Sequence, residues 1–236
     1  LGLTEECYQE RVVDVSEKCA KAAAAMGAKF IQISDARVYK PNKLADEEGQ
    51  LKPQTKLAAA HLKAEQKIQE IAGLNYTILR PSVVYGPGDI QGLMPRCVLA
   101  ACYVFNKEVM KMPFTAKVHL STVHVRDLAA AIVYAAKTPA KSIFNCADEH
   151  NVTLGEINQM LEDIFHIKTE FVSGAMNLAL KAAKSAAAEL INDKHMKPWA
   201  DYCAQQQINS PILSPFLSEE TLTDDDFMID GSKIEK

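Results

Sequence analysis

The sequence has 236 residues, of which 48% are hydrophobic and 24% are charged, a globular composition long enough for one large domain or two small ones. Its formal net charge of −4 and its pI near 5.9 lack the basic excess that is typical of nucleic-acid-binding proteins. No apolar run reaches about 18 residues, so the sequence predicts no membrane span.

The six cysteines are scattered along the chain and include no Cys-x-x-Cys pair. Zinc sites need closer spacing, and disulfide frameworks belong to short secreted chains. The pattern therefore predicts no metal site and favours reduced, structural thiols in a cytoplasmic compartment, with an organelle left open. The cysteines are Cys7, Cys19, Cys97, Cys102, Cys146 and Cys203.

The first half of the chain alternates between helix and strand patterns. An amphipathic helix is predicted over 4–26, and it is followed by a short apolar strand over 30–33. A polar loop leads to a second helix, 55–72, whose Ala, Leu, Glu and Lys content favours helix. A buried strand over 76–79 then runs into a Gly-Pro-Gly loop.

The second half of the chain is more helical. Its predicted elements are a helix over 93–108, a strand over 117–125, a helix from Asp127, a helix over 153–165 and a helix over 174–192. Residues from 196 onwards are predicted to be irregular, because they contain three prolines. Acidic positions in this tail, Glu219, Glu220 and 224–226, are interpreted as solvated surface.

Two apolar stripes at helical spacing are interpreted as core faces. They are Val12, Val15 and Cys19 in the first helix, and Ile157, Leu161 and Ile164 in the helix over 153–165.

The order of these elements predicts an α/β protein. Alternating helices and strands over the first 150 residues indicate a parallel sheet, and the remaining residues indicate a smaller, mostly helical cap. We assign 1–150 to part of a dinucleotide-binding domain with interleaved cap segments, and 151–236 to a helical cap of the substrate-binding type.

Four collinear stretches carry a more specific signal. They are FIQISDARVY (30–39), GLNYTILRPSVVYGPGD (73–89), STVHVRDLAAAIVYAA (121–136) and FNCADEHNVTLGEI (144–157). In order and spacing they resemble the Ser-x-x-x-Val-Tyr, Leu-Arg-Pro-x-x-Val-Tyr-Gly-Pro-Gly, His-Val-x-Asp and Thr-x-x-Glu segments of the extended short-chain dehydrogenase/reductases, the NAD-dependent epimerase/dehydratase group.

The resemblance implies a Rossmann-like, doubly wound parallel sheet that binds NAD or NADP. It also implies a catalytic helix carrying Tyr-x-x-x-Lys, in which the lysine lowers the pKa of the phenol so that it transfers a proton near neutral pH. The cofactor contacts that it implies are Ser34, Lys63, Pro81, Ser82 and Val83.

The helix over 55–72 departs from the family pattern, because no tyrosine occurs between Tyr39 and Tyr76. If Lys63 is the family lysine, Ala59 stands at the tyrosine position. If the register is anchored on Glu65, the pair becomes Leu57 and His61. Neither register supplies a phenol, and the sequence leaves both open.

The turn after the first strand also departs from the pattern. Asp35 stands where the family has Ser or Thr, and a carboxylate there repels a developing alkoxide instead of donating a hydrogen bond to it. His61 is the candidate for a substitute acid or base, since imidazole titrates near neutral pH.

No Gly-x-Gly-x-x-Gly string is present, and the first helix resembles the fourth helix of the family. We therefore expect that the N-terminal part of the Rossmann-like domain is absent from this chain. A parallel sheet without its central strands would not bury both faces.

These departures favour a non-catalytic or atypical NAD(P)-binding protein, a pseudoenzyme that serves as a subunit of a larger assembly with protein partners. The alternative is an active NAD(P)-dependent epimerase, dehydratase or oxidoreductase that acts on a sugar nucleotide or a small carbonyl compound. A binding module that senses dinucleotide levels is a third hypothesis.

Overall fold

The structure is a computed structural model, and it describes residues 3–183, 185–217, 222 and 225–235. The chain forms two compact units. The first, here called the sheet unit, comprises Leu3–Gly86, Ser121–Asn151 and Asp226–Lys236; the second, the helical unit, includes Pro87–Leu120 and Val152–Asp225. The acidic positions Glu219, Glu220 and Asp224 lie outside the described residues.

A three-stranded parallel sheet is the centre of the sheet unit. It consists of β1 (Lys29–Ile33), β3 (Asn75–Pro81) and β8 (Ser142–Cys146) in the order β1-β3-β8. Helices connect these strands, which is why they run parallel. This arrangement confirms the predicted α/β class with a parallel sheet.

The other elements of the sheet unit are short strands, helices and turns around this sheet. They are α1 (Glu5–Tyr8), a π-helix (Gln9–Asp14), α2 (Val15–Ala25), a 3₁₀ helix (Ala36–Val38), β2 (Leu44–Ala45), α3 (Lys56–Gln69), β4 (Val83–Tyr85), β7 (Thr122–His124), α5 (Val125–Ala135), β11 (Met228–Ile229) and a second 3₁₀ helix (Ser232–Glu235). Two strand pairs, β4 with β7 and β2 with β11, are parallel.

Both faces of the sheet carry a hydrophobic cluster, because neighbouring residues of β3 point to opposite faces. Ile78 lies in a cluster with Ala20 and Ala23 of α2 and Ile68 of α3. Leu79 lies in the second cluster, whose other buried members come from β7, α5 and β8: Val123, Leu128, Ala135, Phe144 and Cys146.

In its described residues, the helical unit has four helices and two short strand pairs. These elements are α4 (Met94–Asn106), β5 (Met110–Met112), β6 (His119–Leu120), β9 (Val152–Thr153), α6 (Leu154–Phe165), β10 (Thr169–Phe171), α7 (Gly174–Ala183) and α8 (Ser185–Gln205). Strand β5 pairs with β10, and β6 pairs with β9. The predicted capping box of α6 is present. The Thr153 side chain accepts a hydrogen bond from the Glu156 backbone N–H, and the Glu156 carboxylate accepts one from the Thr153 backbone N–H. The assignment of 1–150 and 151–236 to cofactor and substrate roles stays a prediction.

The interpretation of Val15 and Cys19 as core residues is wrong. Both side chains are exposed, whereas Val13, Ala20 and Ala23 are buried. The π-helix over Gln9–Asp14 explains the change, because its wider turns shift the helical phase of the residues that follow. In α6, Ile157 and Leu161 are buried as predicted, and Ile164 is exposed.

The prediction of an irregular chain from residue 196 is also wrong, because α8 continues to Gln205. Pro198 lies inside this helix, so its missing N–H leaves one helical hydrogen bond unmade. Packing offsets that loss: His195 and Cys203 are buried on either side of the proline.

We predict that replacing Ile68 with Ala destabilises the chain by about 2–5 kcal/mol, because Ile68 is fully buried between α3 and the sheet. The measurement is urea-induced unfolding followed by circular dichroism. Ile164→Ala is the matched control, since Ile164 is 67% exposed, and it should change the midpoint little. Equal midpoints for the two variants would contradict the core assignment.

Candidate functional site

A buried ion pair joins helix α3 to strand β3. Arg80 Nη2 lies 2.6 Å from Glu65 Oε2, and Arg80 Nε donates to Glu65 Oε1 at 3.0 Å. The Ser34 hydroxyl donates to the same Oε1 at 2.5 Å. The side chains of Glu65 and Arg80 are 0% and 3% exposed, so the charges are removed from water and depend on each other.

The pair continues into a hydrogen-bonded network. Arg80 Nη1 donates to the Tyr39 hydroxyl at 2.7 Å, and that hydroxyl donates to Asn145 Oδ1 at 2.9 Å. Burial alone would lower the pKa of Arg80, but its hydrogen bonds and charge interactions with Glu65 and Tyr39 outweigh burial and raise it. The Tyr39 phenol is therefore a structural group, occupied as donor and as acceptor.

Helix α3 presents a second titratable group on the side of Glu65. Leu57, His61 and Glu65 are spaced four residues apart, so they lie along one face of the helix. The Nδ1 atom of His61 is buried and has no hydrogen-bond partner. Burial lowers the pKa of His61, while the negative charges of Asp35 and Glu65 act in the opposite direction. His61 and Glu65, four residues apart on α3, are neighbours on that face.

Asp35 begins the 3₁₀ helix that follows β1. Its Oδ1 accepts a hydrogen bond from the backbone N–H of Arg37 at 2.7 Å, which caps the helix. Ser, Thr and Asp all act as caps of this kind. An aspartate at this position therefore keeps the turn but offers no hydroxyl donor.

The predicted cofactor contacts at the end of β3 are buried. Pro81, Ser82 and Val83 are all buried, as is Ser34. The Ser82 hydroxyl donates to the carbonyl of Cys146 at 3.2 Å. Since Ser34 donates to Glu65, neither serine hydroxyl offers its proton to a ligand in this arrangement.

The other candidate register lies on a different side of α3. Lys63 Nζ donates to Gln9 Oε1 at 2.6 Å, and Ala59 is exposed. Both residues line an open cleft of about 800 Å³ between α3 and the first helical segment. Lys63 is two residues from both His61 and Glu65, about 200° around the helix. The structure therefore brings together Ser34, His61 and Glu65, and it places Lys63 and Ala59 elsewhere.

Sequence reasoning missed the network partners Tyr39, Arg80 and Asn145. Arg80 was visible as a charged residue inside an apolar strand, and Glu65 as a carboxylate at the spacing of buried helix positions. An ionisable residue at such a position needs a partner, and that rule could have paired them.

The described residues contain no group of three or more His, Cys, Asp or Glu side chains that could hold a metal ion. None of the helices in the described ranges is both long and apolar enough to cross a membrane. All six cysteines are free thiols.

A family model for the NAD dependent epimerase/dehydratase family matches residues 4–147. The match covers more than half of the chain, and the chain belongs to this family. A comparison with curated proteins found no match.

Several solved structures have a similar fold. The UDP-glucuronic acid 4-epimerase from Bacillus cereus in complex with NAD is 19% identical, with a TM-score of 0.63 over 73% of this chain and 59% of that chain. The ADP-L-glycero-D-manno-heptose-6-epimerase from Helicobacter pylori is 19% identical, with a TM-score of 0.62 over 72% and 55%. The dTDP-glucose 4,6-dehydratase from Bacillus anthracis in complex with NAD is 18% identical, with a TM-score of 0.62 over 73% and 58%.

At these identities the comparison shows the fold alone, which confirms the predicted Rossmann-like fold. The chain spans less than two thirds of the length of each of these three proteins.

We predict that Arg80→Met destabilises the chain by about 3–5 kcal/mol, because it leaves the Glu65 carboxylate buried without its partner. The double variant Glu65→Leu/Arg80→Met should recover most of this loss. Chemical denaturation of the three proteins is the measurement. Lys197→Ala, which removes an exposed ion pair with Asp201, is the control and should change little. A double variant as unstable as Arg80→Met would argue against the ion pair as the cause.

The lowered pKa of His61 predicts a pH dependence of stability. The folded state binds its proton less readily than the unfolded state, whose histidine titrates near about 6.5. Stability should therefore fall as pH drops below that value, by at most about 1.4 kcal/mol per pH unit for this one proton. Replacing His61 with Leu should flatten the dependence between about pH 6.5 and 5, measured by urea denaturation at each pH. An unchanged slope would show that His61 is not buried in the neutral form.

Proposed function

We propose that this protein binds NAD or NADP at the edge of the sheet formed by the ends of β1 and β3, and that it does not use tyrosine-based proton transfer. The observation that carries the proposal is the Glu65–Arg80 ion pair, because it fixes the rotation of α3. With Glu65 as anchor, Leu57 stands at the family tyrosine position and His61 at the lysine position.

The described residues fit the nicotinamide end of a dinucleotide. Pro81, Ser82 and Val83 would form the floor beneath it, and Ser34 would lie beside it with its hydroxyl held by Glu65. Lys63 is not part of this site in our proposal, because its ammonium group binds Gln9. When bound, a nicotinamide dinucleotide supplies or accepts a hydride.

The residues around this floor supply little of the usual proton chemistry. The Leu57 side chain has no proton to transfer, and an ionised Asp35 carboxylate cannot donate a hydrogen bond. Losing a positioned acid or base typically slows a reaction by about 10²–10⁴-fold. A binding protein, active through protein partners in a larger assembly and in a reduced, cytoplasmic compartment, is the function that we favour.

A second candidate function is catalysis by His61. Its buried Nδ1 lacks a partner, and its neighbour Asp35 is a carboxylate that could orient and charge-stabilise the imidazole. In that case His61 would accept the proton of a hydroxyl substrate, or donate a proton to the oxygen of a carbonyl substrate. The substrate class, as in similar structures, would be a sugar nucleotide.

The first test is a titration of the protein with NADH and NADPH, followed by nicotinamide fluorescence. We expect saturable binding with a Kd in the micromolar range, about −8 kcal/mol. Lys63→Ala should leave the Kd within about twofold, whereas Val83→Asp should abolish binding by placing a carboxylate in the floor. Loss of binding in Lys63→Ala would favour the other register, and no binding by the parent protein would contradict the proposal.

Turnover separates the two candidate functions. With NAD and UDP-glucuronic acid, the binding function predicts no measurable reaction for the parent protein or for His61→Ala. The double variant Leu57→Tyr/His61→Lys, which restores the family pair in our register, should gain activity over the parent. If the parent turns over and His61→Ala loses about 10²-fold or more, the His61 candidate replaces the binding function.

A further inference from the structure

The segment Asp226–Glu235 belongs to the sheet unit and contains β11 and the second 3₁₀ helix. We call this segment the strap. Strand β11 pairs with β2, and the Asp230 backbone N–H donates to the Ala45 carbonyl at 2.9 Å. Two side chains of the strap, Phe227 and Ile229, are buried. Backbone pairing and apolar burial therefore hold the strap together.

Two asparagine residues bind the backbone of the strap. Asn151 Oδ1 accepts from the Ile229 N–H at 3.0 Å, and Asn151 Nδ2 donates to the Ile229 carbonyl at 3.4 Å. Asn42 Oδ1 accepts from the Asp226 N–H at 2.8 Å, and the Asn42 backbone N–H donates to the Asp226 carbonyl at 2.8 Å. Each asparagine thus contacts both backbone groups of one strap residue, which fixes the position of the strap along the sheet unit.

A third asparagine, Asn145, connects the strap to the buried network of Tyr39 and Arg80. Asn145 Nδ2 donates to the carbonyl of Asp230 at 3.1 Å and to the carbonyl of Ala45 at 3.3 Å. Asn145 Oδ1 accepts from the Tyr39 hydroxyl at 2.9 Å. The side chain of Asn145 is 0% exposed, so water does not replace these contacts when they are lost.

The donor and acceptor roles along this series of hydrogen bonds are fixed from the Arg80 end. A guanidinium can only donate, so Arg80 Nη1 makes the Tyr39 oxygen an acceptor and leaves the phenol proton for another group. Asn145 Oδ1 accepts that proton, and the Asn145 amide nitrogen then faces the carbonyl of Asp230. Loss of this strap carbonyl would leave a buried N–H of Asn145 without an acceptor.

We propose that the strap positions the dinucleotide site and that Asn145 is the positioning residue that couples the two. The docked strap orients the Asn145 amide, the amide orients the Tyr39 hydroxyl, and Tyr39 holds Arg80 in the geometry that binds Glu65 of α3. Dinucleotide binding and strap docking then stabilise each other, because coupling between two sites is reciprocal. The link to the dinucleotide rests on the proposed function, whereas the coupling between the strap and Tyr39 does not.

The test measures backbone amide hydrogen exchange in the whole protein by ¹H–¹⁵N NMR. Tyr39→Phe removes the hydroxyl in the middle of the series and changes no residue of the strap. Exchange at the Ile229 and Asp230 amides should become about three- to tenfold faster relative to the amides of β3, as expected for one lost neutral hydrogen bond. Tyr76→Phe is the matched control, because Tyr76 is 6% exposed against 4% for Tyr39 and packs in the cluster around Ile78. This control should leave the two strap amides unchanged.

A second variant tests Asn145 itself. Asn145→Asp keeps an acceptor for the Tyr39 hydroxyl but places an ionised carboxylate against the carbonyl of Asp230. Exchange at the Asp230 amide should become faster, and the Kd for NADH should rise about three- to tenfold. In the parent protein, saturating NADH should slow exchange at the Ile229 and Asp230 amides, and Asn145→Asp should lose this protection.

Equal exchange at the strap amides in Tyr39→Phe and Tyr76→Phe would overturn the coupling. Binding of NADH to the parent without slower exchange in the strap would overturn it as well. If the parent does not bind NADH, the proposed function fails, and the comparison of the two Tyr→Phe variants still decides whether the strap and Tyr39 are coupled. The two failures are therefore distinguishable.

Discussion

The Glu65–Arg80 ion pair is the interaction on which the arrangement of the site depends. It is the direct charged link between α3 and the central strand β3, and both side chains are almost fully removed from water. Two bonds between a guanidinium and a carboxylate fix direction as well as distance. The pair therefore sets how α3 is rotated against the sheet, and that rotation directs Lys63 toward Gln9.

A buried ion pair is not required for stability as such, since apolar residues of similar volume often stabilise a core as well or better. Apolar residues, however, do not fix the orientation of one element relative to another. Here Ser34 donates to Glu65, Tyr39 accepts from Arg80, and Asn145 accepts from Tyr39, so every strand of the central sheet contributes to or directly precedes the network. We regard orientation of the strand ends as the physical reason for keeping charge in this core, and the double variant at Glu65 and Arg80 is informative for that reason.

The sequence predicted the coarse fold well and the site only in part. Hydrophobic periodicity was sufficient to predict β1, β3 and α3, because burial on one face dictates the periodicity of each element. The face of the first helix was not predictable from spacing, since a π-helix changes the phase without an obvious sequence mark. The rotation of α3 was not predictable either: the Lys63 and Glu65 registers differ by two residues, and only the partner of Glu65, fifteen residues away on β3, decides between them.

Family membership and site chemistry depend on different residues of the chain. The motif residues that this chain shares with its family, such as Tyr39 and Arg80, hold the fold together, so their loss would leave buried polar groups without partners and cost several kcal/mol. Replacing a residue that contacts only a ligand has no such cost in stability. In the register that we propose, Leu57 stands at a position of this second kind. A match to the family therefore reports the buried framework, and the chemistry of the site has to be read from the few side chains that face the ligand.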